Sequence, residues 1–80
     1  MTLAPAVDVK AKTVTLEGKS YGMRQLAEDS YAVMFEGVPL GRVVYVFGAA
    51  NPVVESADLT EEALGAIGNA WFAALDAQAG

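Results

Sequence analysis

Glu55, Asp58, Glu61 and Glu62 form the densest group of carboxylates in the sequence. Carboxylates in such numbers can do three kinds of chemistry: hold a hard cation through oxygen ligands, transfer protons, or meet Arg and Lys in charge-assisted pairs. The spacing of an EF-hand loop is absent, and helix capping and solvation account for the same acids, so no metal and no cofactor is expected. Proton transfer and nucleophilic catalysis lack partners. The chain has no His and no Cys, which removes the commonest general base, the commonest transition-metal ligand and the thiolate nucleophile together. No G-x-S-x-G, S-x-x-K or glycine-rich phosphate loop replaces them. Glu28 and Asp29 are adjacent in a turn and read as solvated acids. The expectation is a protein that is not an enzyme.

The remaining chemistry is recognition by charge. Residues 1–42 hold all five bases against five acids, whereas residues 43–80 hold five acids and no base, so the whole net charge of −5 comes from the C-terminal half. A field of that sign repels phosphate backbones and attracts basic surfaces. Direct nucleic-acid binding is disfavoured, and a positively charged protein partner is the natural inference. Its expected contacts are Glu55, Asp58, Glu61, Glu62 and Asp76, presenting carboxylates where a partner expects phosphates. The competing reading is that a small apolar domain carries net charge for solubility.

An apolar fraction of 54% against 19% charged places the chain among folders, and 80 residues make one domain, 1–80. Residues 1–11, with Pro5 and several small side chains, read as a flexible arm or a short edge strand around Val7 to Val9. Val14 and Leu16 alternate with Thr13 and Thr15, the period-two pattern of a half-buried strand. Gly18 with Lys19 supplies a turn into a second strand from Ser20 to Leu26, in which Gly22 suggests a bulge. Ser30 to Glu36 is strongly strand-like. Gly37, Pro39 and Gly41 punctuate a hairpin loop, and Arg42 to Phe47 is a strand apolar on both faces. Gly48 to Ala57, with Asn51-Pro52, reads as a loop running to a helix. Asp58, three residues before Glu61, and Thr60 are alternative caps for that helix. Glu61 and Glu62 then lie in its first turn, where the helix dipole favours negative charge.

Leu64, Ile67, Trp71 and Leu75 fall on one face of this helix at about 100° per residue and should pack on the sheet. The fold class expected is α+β: a three- to four-stranded antiparallel sheet of hairpins with one C-terminal helix on one face. Ala63, Ala66, Ala70, Ala73 and Ala77 form a second stripe without bulk, with Phe72 beside a narrow polar strip. Small residues permit close helix approach, and a small core leaves little stability margin, so a homodimer through Phe72, Ala66, Ala70, Ala73 and Tyr45 is expected. Alanine is equally explained as the best helix former. Tyr21, Tyr31 and Tyr45 fall on strands. Tyr31 shares a face with Val33 and Phe35, whereas Tyr45 is compatible with either side of the sheet.

No basic n-region or apolar h-region opens the chain, no segment approaches the ~20 apolar residues of a membrane span, and no disulfide is possible. A soluble, cytoplasmic protein without a membrane partner is expected. Short length, absence of catalytic residues and the base-free half from Val43 to Gly80 with its acidic Glu55 to Glu62 segment make the chain similar in character to anti-CRISPR proteins. Such families share no motif, so the resemblance assigns no residue a role. It implies an inhibitor in a bacterial host cytoplasm that docks on a CRISPR effector complex and blocks the basic surface that target DNA would occupy. The neutral N-terminal half departs from pure DNA mimicry. The alternative is a small structural or assembly protein whose dimer interface is its function.

Overall fold

The computed structural model describes residues 5–79, and within it the alternating segments form one six-stranded antiparallel sheet whose strands lie in chain order. They are β1 (Ala6–Asp8), β2 (Thr13–Leu16), β3 (Lys19–Ala27), β4 (Ser30–Phe35), β5 (Val38–Val46) and β6 (Ala49–Val54), followed by helix α1 (Glu61–Ala79). The class is the expected α+β, but the sheet is larger than three to four strands. The expected N-terminal arm contributes β1, paired with β2 through Val7 and Val14, while residues 1–4 of it lie outside the described residues.

Three of the hairpins close on two-residue turns with both central residues at positive φ: Glu17-Gly18 (52°, 80°), Glu36-Gly37 (51°, 81°) and Phe47-Gly48 (51°, 81°). That conformation matches the right-handed twist of the flanking strands, and glycine adopts it without a Cβ penalty. The segment read as a hairpin loop through Pro39 and Gly41 is instead strand. There the register shifts: Val33 faces Gly41 while Met34 faces Pro39, leaving Leu40 as the extra residue of a bulge and 5% exposed in the core. A second shift lies between Gln25 and Ala27, not at Gly22.

The stretch read as a loop from Gly48 to Ala57 also contains strand β6, in register from Val46↔Ala49 to Gly41↔Val54. Pro52 is tolerated because the strand lies at a sheet edge, where a missing N–H need not break a ladder. Ala50, the neighbouring donor, gives its N–H to Asn69 Oδ1 of the helix at 2.9 Å.

Helix α1 starts at Thr60, whose Oγ1 accepts the Ala63 N–H at 3.1 Å; Asp58 does not cap it. Leu59 before the cap and Leu64 four residues after it are both buried, the arrangement of a hydrophobic staple. The predicted stripe packs as expected. Leu64 and Ile67 are fully buried, Trp71 is 2% exposed, and half-buried Leu75 lies against the same core. Burying each of these side chains stabilises the fold by about 1.5–3 kcal/mol. Close approach requires glycine on both sides: a Cβ on Gly68 would sit 2.6 Å from Val43 Cγ1, and one on Gly41 would sit 2.7 Å from Leu64 Cδ2. The helix touches β5 and β6 and also β1 and β2, so the sheet curls around it. No helix among the described residues is long and apolar enough to cross a membrane.

Candidate functional site

The curl brings three separate pieces of sequence together at the C-terminal end of the helix. Tyr31 on β4 pairs with Val43, and Tyr45 lies two residues further along β5, so both rings share the inner face of the sheet. Phe72 follows Trp71 on the helix and reaches both tyrosines. Its ring centroid lies 5.0 Å from Tyr45 and 5.7 Å from Tyr31, while Tyr31 meets Trp71 edge-on at 5.3 Å. Aromatic pairs at these separations add about 0.5–1.5 kcal/mol each beyond their buried area.

The rings and Leu75 line a hollow of about 240 Å³. Its polar lining is Glu28 and Asp29 from the β3–β4 turn and Asp76 from the helix. The turn is tied down from β5, since the Tyr45 N–H donates to the Asp29 carbonyl at 2.8 Å. Asp76 stands four residues after Phe72 and therefore on the same helix face. All three carboxylates are exposed, and Tyr45 remains 41% exposed. Among the described residues, no basic side chain lines the hollow. Negative charge beside the exposed Tyr45 ring attracts cations: the ring quadrupole and the carboxylates act in the same direction.

The sequence-predicted contacts divide. Glu55, Asp58, Glu61 and Glu62 are all exposed around the junction of β6 with α1. Glu61 and Glu62 border a shallow groove together with Pro52, Gly65, Ala66 and Asn69. Asp76 does not join them. Fourteen residues after Glu62, it lies about 21 Å further along the helix, at the aromatic hollow. Among the residues assigned to a dimer contact, Tyr45 and Phe72 are brought together within one chain, while Ala66 and Ala70 are half-buried and Ala73 is exposed. Among the described residues, no group of three or more acids is arranged to hold a metal ion.

Two features were not singled out from the sequence. On the face of the sheet away from the helix, Arg24 and Arg42 flank Ala32 in register on neighbouring strands. Val46 and the fully exposed Phe47 lie at the β5–β6 hairpin tip, while Val53 pairs with Arg42 further down the same two strands. The signal was strand alternation: once Val43 faces the helix, Arg42 and Val44 must face away. The second feature is Trp71, whose Nε1 is buried without a hydrogen-bond acceptor among the described residues. It borders a smaller hollow with Lys12, Met23 and Gln25, on the other side of Tyr31 and Leu75. Comparison with protein-family models, with curated proteins and with solved structures finds no match to this chain.

Proposed function

We propose that the protein is a non-catalytic inhibitor that occupies the basic, nucleic-acid-binding surface of a partner complex, in the manner of the anti-CRISPR proteins it resembles. The observation that carries this reading is the exposure of Glu55, Asp58, Glu61 and Glu62 around one junction, in a half of the chain that contains no base. Standing exposed in a half of the chain without Lys or Arg, these carboxylates can pair with an external basic surface. Target DNA is then excluded by competition for the same positive groups.

The test is a titration of the protein into purified RNA-guided effector complexes, read as loss of target-DNA binding. Inhibition that weakens with salt and is lost when all four acids are replaced by Gln is the expected result, because exposed charge pairs are screened within about 10 Å at 0.1 M salt. Inhibition that survives both changes overturns the electrostatic mechanism. A second reading, an assembly protein acting through self-association, is favoured by the exposed Val46 and Phe47 at the β5–β6 hairpin tip, which no described element covers. A stable oligomer without effect on any effector complex supports that reading instead.

A further inference from the structure

The two acidic regions of the molecule differ in kind. Around the start of α1 the carboxylates stand on an open surface, whereas Glu28, Asp29 and Asp76 border the hollow with the rings of Tyr31, Tyr45 and Phe72. Carboxylates alone would bind any cation weakly, and rings alone would accept any apolar group. Together they select a cation with a flat, weakly hydrated face, which describes a guanidinium better than an ammonium. The volume of about 240 Å³ lies below the ~300 Å³ at which pockets for drug-sized ligands begin, so one side chain is the appropriate occupant.

We infer that this hollow receives an arginine side chain of the partner protein, its guanidinium against the Tyr45 and Phe72 rings and its charge met by Glu28, Asp29 and Asp76. The inference rests on the reading of the protein as a binder of basic surfaces and supplies its anchor. It places that anchor at the far end of the helix from Glu61 and Glu62. The aromatic cluster is already assembled within one chain, so the site is preorganised and little ordering entropy opposes binding.

The probe is N-acetyl-arginine amide, titrated against the intact protein and read from the ring resonances of Tyr31, Tyr45 and Phe72. Saturable shifts are expected, with the lysine amide binding about fivefold more weakly and the uncharged norleucine amide not saturating. An Asp29→Asn/Asp76→Asn variant should lose about tenfold in affinity, and a Glu17→Gln/Glu36→Gln variant, altered at turns outside the hollow, should lose little. Equal shifts with norleucine amide, or none with arginine amide, overturn the site. The same Asp29→Asn/Asp76→Asn variant is then tested against the effector complex. Loss of inhibition supports the partner arginine, and undiminished inhibition overturns it while leaving the proposed function standing. Binding of arginine amide with no inhibition of any effector by the wild type overturns the proposed function and leaves a guanidinium site filled from another source.

Discussion

Asn69 of the helix accepts the N–H of Ala50 on the edge strand at 2.9 Å, and two residues further on Pro52 has no N–H to offer. An edge strand normally presents a row of unpaired donors and acceptors to other chains. Here one donor is covered by the helix and the next does not exist. Strand addition at β6 is thereby discouraged, which leaves β1 as the other edge of the sheet.

Asn69→Leu should therefore lower stability by about 1 kcal/mol, the usual net worth of such a hydrogen bond, and should accelerate exchange of the Ala50 amide. Asn69→Asp keeps the acceptor and should retain slow exchange. Denaturant titration and amide exchange decide the matter. Equal exchange in all three proteins would mean that the bond does not protect the edge.

Two helix glycines make opposite predictions. Gly68→Ala forces a Cβ to within 2.8 Å of both Val43 and Ala50 side chains, and should cost about 1–3 kcal/mol as an overpacked site. Gly65→Ala meets only Pro52 Cγ at 3.7 Å, an ordinary contact, and should gain about 0.5–1 kcal/mol from helix propensity. Urea midpoints moving in opposite directions are the expected result. A gain at Gly68 would show that the helix sits further from β5 than described.

The sequence carried the parts of this fold that have a period. Leu64, Ile67, Trp71 and Leu75 were legible because one helix face is buried, β2 because its apolar residues alternate, and β4 because its run is rich in aromatic and apolar side chains. Strand β6 was not, since Ala49, Ala50, Asn51 and Pro52 have turn-like composition and gain strand geometry only from pairing with β5 and from the Asn69 cap. The bulge at Leu40 hid the start of β5 in the same way: Pro39 and Gly41 look like punctuation until the register shift accommodates them. At the aromatic hollow, Tyr45, Phe72 and Asp76 each stood out singly, but Glu28 and Asp29 were read as solvated turn acids. Nothing local in a turn says which helix end will fold beside it.

Thr60 and Asp58 competed as caps, and the hydrogen bond from Ala63 assigns the role to Thr60. Thr60→Ala should cost about 1 kcal/mol, with the loss visible as fraying of the first helical turn by amide exchange. Asp58→Ala should change stability by less than about 0.5 kcal/mol, the range of ordinary surface substitutions. Equal costs would mean that the start of the helix is shared between the two.

Phe47 occupies the first central position of a two-residue turn at φ 51°, where the equivalent turns have Glu17 and Glu36, and its side chain is fully exposed. A non-glycine residue pays about 1–2 kcal/mol for left-handed backbone, and Asn pays less because its short side chain bonds locally. Phe47→Asn should therefore raise stability by about 0.5–1 kcal/mol, measured by denaturant titration, and remove an apolar group from solvent. The ring is as exposed in the unfolded chain as in the folded one, so only the left-handed backbone costs stability there, and the exposed ring is available for contact. If the open sheet face mediates self-association, Phe47→Asn gains stability in the monomer and loses the oligomer, as sedimentation would record. If stability rises and the oligomeric state does not change, the tip plays no part in assembly, and the proposed partner contact stays with the acidic surfaces.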